Sequence, residues 1–554
     1  MQTYSLTKTY KHWLLVVFLG VWSAGMLALS LPNELFVWGN PVFGLICLIP
    51  LYISMRFARN YKTAFLTGLL FGGLAHGLSS FWLWFFKGFR FWTLGTTTIT
   101  YMVVYGFLGW YLFGALRNGG KYRPLLFAMI WAVFEYTKSI GFLGYPWGLL
   151  PYSWNTVIPF NQSVELFGLH ILSFILALVN ASLAEFLVPR CAATTHEPFK
   201  NAAVFFAKPK NLLAKMLLED FDRNIERLGW ISVAAVLMGL MFAYGFLRLE
   251  WKHKPEKTIS LVLVQHHTDN WIENDGGVKT LETCVQLANQ ELHGNPDADM
   301  LVFSETSLVR PWKESVGYYM RSPREYPLIS LLKDYNIYLF TGAPIILDWE
   351  SFRATNSVLL INPDGTLVDD YAKIHPVPFA ESIPFWDIPA FRRFIQNVVG
   401  LSSGWEMGTR YTIFKLPLRN GGEVRFAAPI CFEDAFSEVN RVFVRKGVDF
   451  LLNLTNDSWS KRVSAEVQHF VAARYRTIEY RVPLVRSTNG GVTAVVDIDG
   501  SIQTMFPVFT QMAGSVSVPI YKRTITAYAL LGDWIVYVFA LCLAYCIFIV
   551  RRFA

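Results

Sequence analysis

Long apolar runs dominate the first 250 residues of this 554-residue chain and constrain its fold more than any other feature. A helix needs about 20 mostly apolar residues to cross a bilayer. Eight runs approach or exceed that length, at residues 12–30, 35–55, 63–86, 92–116, 124–142, 165–189, 229–248 and 527–550. The first run follows Lys8 and Lys11 and has features of a signal peptide, but its length favours a retained anchor. The pattern predicts eight transmembrane helices.

Basic residues between the runs predict the orientation of the chain. Lys and Arg are concentrated after the second, fourth, sixth and eighth runs, which the positive-inside rule assigns to the cytoplasmic side. Lys87 and Arg90 oppose this pattern. The predicted division is therefore residues 1–248 with transmembrane helices 1–7, an extramembrane domain at 249–526 on the non-cytoplasmic side, and residues 527–554 with helix 8 and a cytoplasmic tail.

Composition argues against several classes of function. Only 16% of the residues are charged, against about a quarter in soluble domains, and the net charge of +8 is not gathered in one stripe that would bind nucleic acid. His76 is the main ionisable residue inside the runs, and we interpret it as a packed, hydrogen-bonded side chain; the scarcity of others argues against a pump or channel. Cys284 and Cys431 are the cysteines of the soluble-like part, and a disulfide between them stays open.

Residues 255–520 alternate strand-like runs with helical patterns. The predicted strands are 258–265, 300–304, 337–341, 357–361, 425–430, 450–454 and 492–497. The predicted helices are 278–292, 323–334, 435–446 and 464–480. This alternation predicts a layered α/β or α+β domain.

Three residues with complementary chemistry stand near the ends of these runs. Glu305 and Cys431 each follow a strand-like run, and Lys373 follows a hairpin. A carboxylate can activate a thiol as a nucleophile, and an ammonium can stabilise the oxyanion that forms on an attacked carbonyl. The set is sufficient for acyl transfer, although each residue alone is more typical of a buried Cys, a solvated Glu or a surface Lys.

The sequences around these residues resemble a known superfamily. Segments 304–306, 371–381 and 429–433 resemble, in order, the three catalytic blocks of the nitrilase (carbon–nitrogen hydrolase) superfamily. Segments 453–459, 468–474 and 486–500 extend the resemblance to its membrane-embedded apolipoprotein N-acyltransferase branch, whose membrane half is similar at 144–147 and 166–174. The resemblance implies a nitrilase-like αββα sandwich on an eight-helix membrane base, in the bacterial inner membrane with the catalytic domain on the periplasmic side.

The resemblance also implies an activity and residue roles. Members transfer an acyl chain from a phospholipid to the amino-terminal diacylglyceryl-cysteine of lipoproteins through a thioester. By motif position, Cys431 is the nucleophile, Glu305 the base and Lys373 the oxyanion partner. Glu381 and Glu433 are expected to support them by orienting the lysine and adjusting proton transfer, with a plain structural hydrogen-bonding role for Glu433 equally open.

Substrate contacts are expected beside this set. Residues 382–401 are unusually apolar for a loop and predict an arm that dips into lipid, with a core-packing helix as the alternative. The expected contact residues are Trp271, Phe385, Trp386 and Phe432. The adjacent His266 and His267 lack acidic or Cys partners at ligand spacing, so we expect neither a metal nor a cofactor.

Two other functions remain open from sequence. A membrane-anchored amidase could use the same three residues, with water resolving the thioester. A non-catalytic lipoprotein-binding scaffold is the other, and the intact catalytic set argues against it.

Overall fold

The structure is a computed structural model in which the chain forms two compact units. It describes residues 2–86, 90–188, 221–251, 253–268, 275–350, 353–378, 380–383, 385–386, 388–399 and 405–553. The first unit comprises residues 1–138, 148–248 and 533–554, and the second comprises 139–147 and 249–532. The division differs from the predicted boundaries of 248/249 and 526/527 at two places, 139–147 and 527–532.

Helices make up the first unit. They are α1 (Gln2–Ser30), α2 (Pro41–Gly44), α3 (Ile49–Phe57), α4 (Tyr61–Ser79), α5 (Arg90–Asn118), α6 (Arg123–Ser139), α7 (Ile158–Asn161), α8 (Val164–Phe167), α9 (His170–Leu187), α10 (Phe221–Glu250) and α18 (Trp534–Phe553). Among the described residues, four stretches are long and apolar enough to cross a membrane, at His12–Ser30, Phe91–Asn118, His170–Leu187 and Leu228–Glu250. Two shorter apolar helices lie at Pro41–Phe57 and Trp534–Phe548.

The predicted runs are interrupted more often than their composition indicates. The run 35–55 is divided between α2 and α3, each of which begins at or next to a proline, since proline is tolerated in a first turn but not inside a helix. The run 165–189 is divided at Gly168, whose φ is +78°. Within the described part of the chain, eight full spans are therefore not established, and eight stays a prediction.

Two buried polar side chains of the first unit, those of His76 and Glu135, have hydrogen-bond partners. His76 Nε2 lies 3.0 Å from Thr97 Oγ1, and the ring stacks on Tyr101, so the interpretation of His76 as a packed side chain is confirmed. The expectation that His76 is the main such group was incomplete. Glu135 is fully buried in α6 and accepts a 2.8 Å hydrogen bond from the Leu150 N–H. A side chain can satisfy a distant backbone group in this way, and the apolar count along one run does not reveal it.

Two sheets form the centre of the second unit. The first has the strands β1 (Lys257–Gln265), β2 (Met300–Val302), β3 (Tyr338–Asp348), β4 (Arg353–Ile361), β5 (Leu367–Ala372), β6 (Trp405–Glu406) and β13 (Met512–Ile520), in the order β13-β1-β2-β3-β4-β5 with β6 beside β4. The second has β7 (Phe414–Pro417), β8 (Glu423–Ala427), β9 (Phe450–Thr455), β10 (Leu484–Thr488), β11 (Ala494–Val496) and β12 (Ile502–Met505), in the order β12-β11-β10-β9-β8-β7. Each sheet has a parallel centre, β1-β2-β3 and β8-β9-β10.

The two sheets pack face to face with helices outside them. Phe340 of β3 meets Phe414 and Phe426 of the second sheet edge to face, with ring centroids 5.0 and 5.1 Å apart. The helices are α11 (Val278–Gly294), α12 (Trp312–Tyr319), α13 (Leu328–Asp334), α14 (Pro389–Phe394), α15 (Ser437–Arg445), α16 (Val463–Tyr480) and α17 (Ala527–Leu531). The buried side chains of α11, α12 and α13 join those of β1, β2 and β3 in one core. The architecture is a layered αββα sandwich, which confirms the predicted α/β class.

The two boundary differences have packing causes. Tyr528 of α17 stacks on Tyr480 of α16 at 5.8 Å, so the start of the last apolar run belongs to the second unit. Trp147 stacks on Phe432 with ring centroids 5.2 Å apart and planes inclined by 13°. Residues 139–147 therefore pack with a unit whose other residues all follow position 248.

Candidate active site

Cys431 opens a tight turn directly after β8. It is the first residue of a short 3-10 helix, Cys431–Ala435, and its φ of +49° is unusual for a residue other than glycine. Such a conformation costs roughly 1–2 kcal/mol and persists only where neighbours hold it. The Asn453 side chain does so by donating to the carbonyls of Pro429 and Cys431, at 2.9 and 3.0 Å. The strained turn leaves the thiol partly exposed beyond the end of the strand.

Glu305 lies just after β2 and is held at both carboxylate oxygens. Oε1 accepts from Asn356 Nδ2, and Oε2 accepts from the Asn456 N–H, each at 2.8 Å. Gly342 lets β3 approach this backbone, because a Cβ there would stand 2.7 Å from Glu305 Cα. The carboxylate is buried and fixed in one orientation.

Lys373 follows β5 and is 1% exposed, with its Nζ 2.8 Å from the Glu381 carboxylate. Asn356 Nδ2 also donates to Glu381, at 3.2 Å. One amide therefore bridges the carboxylates of Glu305 and Glu381. The Glu381 carboxylate is held further by the Val377 N–H at 2.8 Å, so the segment after Lys373 turns back on the ammonium.

Glu433 ties two parts of the site together. Its carboxylate accepts from the N–H groups of Ile374 and His375, just after Lys373, and from the Ile430 N–H, just before Cys431, at 2.7–2.8 Å. The Tyr371 hydroxyl adds a further bond at 3.0 Å. The segment after β5 that carries Lys373 is thereby joined to the turn at Cys431 by a single buried side chain.

The three central groups act on one another electrostatically. Burial, and then the Glu305 charge, raise the pKa of the Cys431 thiol well above its usual value, while Lys373 opposes the rise. Burial also raises the pKa of Glu305, against the opposing effect of Lys373. Burial acts to lower the pKa of Lys373, but Glu381, Cys431 and Glu305 together raise it. The resting site therefore holds a neutral thiol beside a permanent ammonium and a carboxyl group able to take a proton.

The pKa of the Glu433 carboxyl group is also shifted from its usual value. Burial raises the pKa of Glu433 to about 7, and its backbone N–H partners limit the rise. A carboxylate that accepts three N–H bonds is well suited to hold a turn in place.

The expected substrate-contact residues differ in position. Phe432 is buried in an aromatic stack with Trp147, Phe436 and His375. Phe385 is 70% exposed with a φ of +60°, and Trp386 is half-buried. Trp271 lies outside the described residues. Cys284 and Cys431 are both free thiols, and Cys284 packs in the core around α11, so no disulfide joins them.

Two asparagines of the site were missed from sequence. Asn356 lies one position before the predicted strand 357–361 and inside the observed β4, and Asn456 stood in a motif that carried no role. An amide within a buried strand next to two predicted carboxylates was the available signal, because a buried polar group requires partners.

The fold is that of a carbon–nitrogen hydrolase domain. Residues 261–515 match the family model described as "Carbon-nitrogen hydrolase", and residues 23–182 match the model "Apolipoprotein N-acyltransferase N-terminal domain". The chain belongs to the apolipoprotein N-acyltransferase family, as relatives along its whole length show. It is therefore an N-acyltransferase, and its apolar helices accord with a membrane protein.

Similar proteins cover nearly the full chain. "Apolipoprotein N-acyltransferase 2" of Treponema denticola is 36% identical over 96% of this chain and 96% of its own length. The protein of the same name from Treponema pallidum is 34% identical over 94% of this chain and 92% of its own. A solved structure of Saccharomyces cerevisiae Nit3, a member of branch 10 of the nitrilase superfamily, covers 48% of this chain and 91% of its own, with 18% identity and a TM-score of 0.34.

Proposed function

We propose that this enzyme transfers an acyl chain from a phospholipid to the amino-terminal diacylglyceryl-cysteine of lipoproteins, through a thioester on Cys431. The observation that carries the proposal is a network of hydrogen bonds that holds the three groups together. Asn356 bridges the carboxylates of Glu305 and Glu381, and Glu381 pairs with Lys373. Glu433 joins the segment after Lys373 to the turn at Cys431. A thiol, a base and a fixed cation are what acyl transfer through a thioester needs. The family supports the acceptor, since its name refers to an apolipoprotein.

The first half-reaction loads the acyl chain onto the enzyme. Glu305 takes the proton from Cys431 Sγ as sulfur attacks the ester carbonyl carbon of the donor. The Lys373 ammonium stabilises the tetrahedral oxyanion. Collapse of the oxyanion breaks the bond to the glycerol oxygen, and that oxygen takes the proton from Glu305 and leaves as the hydroxyl of a lysophospholipid. The product is a neutral Cys431 thioester.

The second half-reaction delivers the chain to the amine. The uncharged amino group of the acceptor attacks the thioester carbonyl and loses a proton to Glu305. The oxyanion again forms beside Lys373 and expels the thiolate, which recovers the proton from Glu305. An amide forms, and the free thiol is regenerated.

Glu381 and Glu433 have supporting roles in this proposal. Glu381 holds the Lys373 ammonium at 2.8 Å and keeps it charged. Glu433 fixes the lysine-bearing segment against the nucleophile turn, which combines the orienting and the structural roles expected for it. Neither residue needs to touch the reacting carbonyl.

The apolar arm favours a lipid donor over a small soluble amide. No residue of α14 is buried, and Phe385, Ile388 and Phe394 are 70%, 51% and 53% exposed. A core-packing helix would bury such side chains, so their exposure supports an arm that inserts into lipid. We place Phe385 and Trp386 beside the donor chains. The amidase alternative lacks support from the family and from this exposed apolar segment.

Eight transmembrane helices and a periplasmic catalytic domain in the inner membrane complete the proposal. The arrangement of basic loops supports it, with residues 1–248 and 527–554 in the membrane portion and 249–526 outside the cytoplasm. Reporter fusions after residue 526 and after residue 554 are expected to report opposite sides. The same side for both would refute this topology.

One assay tests the chemistry. Purified enzyme is mixed with phospholipid and a diacylated lipopeptide, and the masses of the lipopeptide and of the Cys431 peptide are followed. Wild type is expected to add one acyl chain to the lipopeptide, and to carry the chain on Cys431 when the acceptor is omitted. Cys431→Ala is expected to do neither, and Cys542→Ser, at an exposed thiol of α18, serves as the matched control. An active Cys431→Ala variant would refute the mechanism.

A second assay tests the arm. Ile388→Asp and Phe394→Asp are expected to raise the KM for donor in vesicles, while a short-chain ester dissolved in water is used at the wild-type rate. An equal loss of activity with the vesicle donor and with the short-chain ester would contradict a role of the arm in lipid access.

A further inference from the structure

A second cluster of charged side chains lies buried beside the proposed site. His469 of α16 lies between two carboxylates, with Nε2 2.9 Å from Asp434 Oδ1 and Nδ1 2.9 Å from Asp457 Oδ2. Arg486 of β10, fully buried, lies 3.4 Å from each of the same two aspartates. We call the contact Asp434–His469–Asp457 the carboxylate–imidazole bridge. None of its members takes part in the proposed chemistry.

The geometry fixes the protonation of the bridge. Carboxylate oxygens only accept, so an imidazole with a carboxylate at each nitrogen donates from both and is an imidazolium. The charges then balance, because two carboxylates face two cations. Burial acts to lower the pKa of His469, but Asp457 and then Asp434 raise it overall, to about 9.

Two further titratable groups face the bridge: Glu466, on the same helix, and Cys431, whose thiol pKa the Asp457 charge helps to raise. Glu466 is buried, it accepts from the Ser460 hydroxyl, and its Oε2 has no hydrogen-bond partner among the described residues. Burial, and then the nearby Asp457 charge, raise the pKa of Glu466 well above its usual value. The protonated form of Glu466 is thereby favoured, and in that form it leaves the charge balance between the two aspartates and the two cations unchanged.

The bridge connects the segment that carries Cys431 to the segment whose backbone holds the Glu305 carboxylate. Asp434 belongs to the same short 3-10 helix as Cys431. Asp457 directly follows Asn456, whose N–H holds the Glu305 carboxylate. Both segments are loops after strands, and no strand pairing extends to either aspartate. A rigid ionic link between these loops sets the position of the thiol relative to its base.

We propose that His469 is a positioning residue. As an imidazolium it joins the turn at Cys431 to the loop that holds Glu305, and so it fixes the position of the Cys431 thiol relative to its base. The inference rests on the proposed function, because it assigns Cys431 and Glu305 their roles. A purely structural role would change the stability of the protein and leave the reaction of folded enzyme unchanged. A positioning role changes the rate constant of thioester formation, since small misplacements of reacting groups slow a reaction strongly.

The bridge also predicts a pH dependence. The pKa of His469 is raised from 6.5 to about 9, so its contribution is fully present below pH 6.5 and is lost as pH rises through about 9. Thioester formation without acceptor is the step to measure, because it avoids titration of the acceptor amine. The wild-type rate constant is expected to fall above about pH 9, since the Lys373 ammonium stays charged there.

The experiment measures thioester formation on Cys431 by mass, under single-turnover conditions and over a range of donor concentrations and pH. His469→Gln removes the cation and is expected to slow the step by about tenfold or more, with the donor dependence unchanged. In that variant the fall of the rate constant above about pH 9 should disappear. Asp434→Asn added to His469→Gln restores the charge balance and is expected to recover part of the rate. His293→Gln, at an exposed histidine of α11, is the matched control.

The outcomes separate this inference from the proposed function. A folded His469→Gln enzyme that forms the thioester at the wild-type rate, while Cys431→Ala forms none, overturns the positioning role and leaves the function intact. Activity in Cys431→Ala overturns the function itself. If His469→Gln does not fold, the wild-type pH profile decides, and a profile with no fall up to pH 10 overturns the inference.

Discussion

Asn356 offers the sharpest test of how the base is controlled. Its Nδ2 donates to Glu305 Oε1 at 2.8 Å and, less closely, to Glu381 at 3.2 Å. Replacing it by leucine keeps the approximate shape and removes the donor. A hydrogen bond to a charged group is worth about 1.5–3 kcal/mol, and that stabilisation favours the ionised form of Glu305.

The loss should appear as a shift in pH dependence. A free energy of about 1.36 kcal/mol corresponds to one pKa unit. The acidic limb in the pH profile of the rate constant for thioester formation is therefore expected to move up by about one to two pH units in Asn356→Leu. The sign follows from the base: Glu305 accepts the thiol proton only when ionised, and losing the donor makes ionisation harder. At the pH of the wild-type acidic limb, the rate constant of the variant should be about ten- to a hundredfold lower than that of wild type. At higher pH it should return to the wild-type value.

The assay is the single-turnover thioester measurement from pH 5 to 9, with a thermal unfolding scan to show that the variant is folded. Asn295→Leu removes a comparable amide, whose bond to Ser260 lies outside the site, and should leave the limb in place. A folded Asn356→Leu enzyme with a slower rate but an unmoved acidic limb would refute the assignment of Glu305 as the base. Recovery at high pH excludes simple misfolding.

Two further predictions concern the surroundings of the triad. Glu381→Gln leaves the buried Lys373 without its closest anion and is expected to cost up to about 3–5 kcal/mol of stability, seen as a lower unfolding midpoint; an unchanged midpoint would contradict the pairing. Gly342→Ala places a Cβ 2.7 Å from Glu305 Cα, with a cost of about 1–3 kcal/mol, and should slow thioester formation with little change in donor KM. Gly294→Ala, where a Cβ meets nothing within 4 Å, is its control, and equal rates in the two variants would contradict the close approach.

Local patterns predicted the second unit well. The helix predicted at 464–480 is observed as Val463–Tyr480, and the strand predicted at 258–265 as Lys257–Gln265. Buried parallel strands have short, nearly continuous apolar runs, so their existence can be read from the sequence. This is why residues placed after strands, such as Glu305 and Cys431, were recognised as candidates. The ends are less well predicted, because the predicted strands 337–341 and 357–361 are shorter than the observed β3 and β4.

Interactions through space were beyond the sequence. Asn356 meets Glu305 across two strands of a sheet, and His469 meets Asp434 from a helix that lies far along the chain. Neither pairing follows from periodicity, because each depends on the packing of segments that are distant in sequence. The number of membrane-spanning helices could not be predicted from composition either. The mean hydropathy of a run does not show where a helix is interrupted, as it is at Gly168.

The placement of residues 139–147 has a consequence for biosynthesis. Trp147 is synthesised long before its stacking partner Phe432. Residues 139–147 therefore lack this packing partner until the intervening helices and most of the sandwich have been synthesised. The aromatic stack beneath the nucleophile turn can close only late in synthesis. A fragment that begins at residue 249 would lack the tryptophan altogether, and supplying residues 139–147 as a separate peptide would be needed to restore that contact.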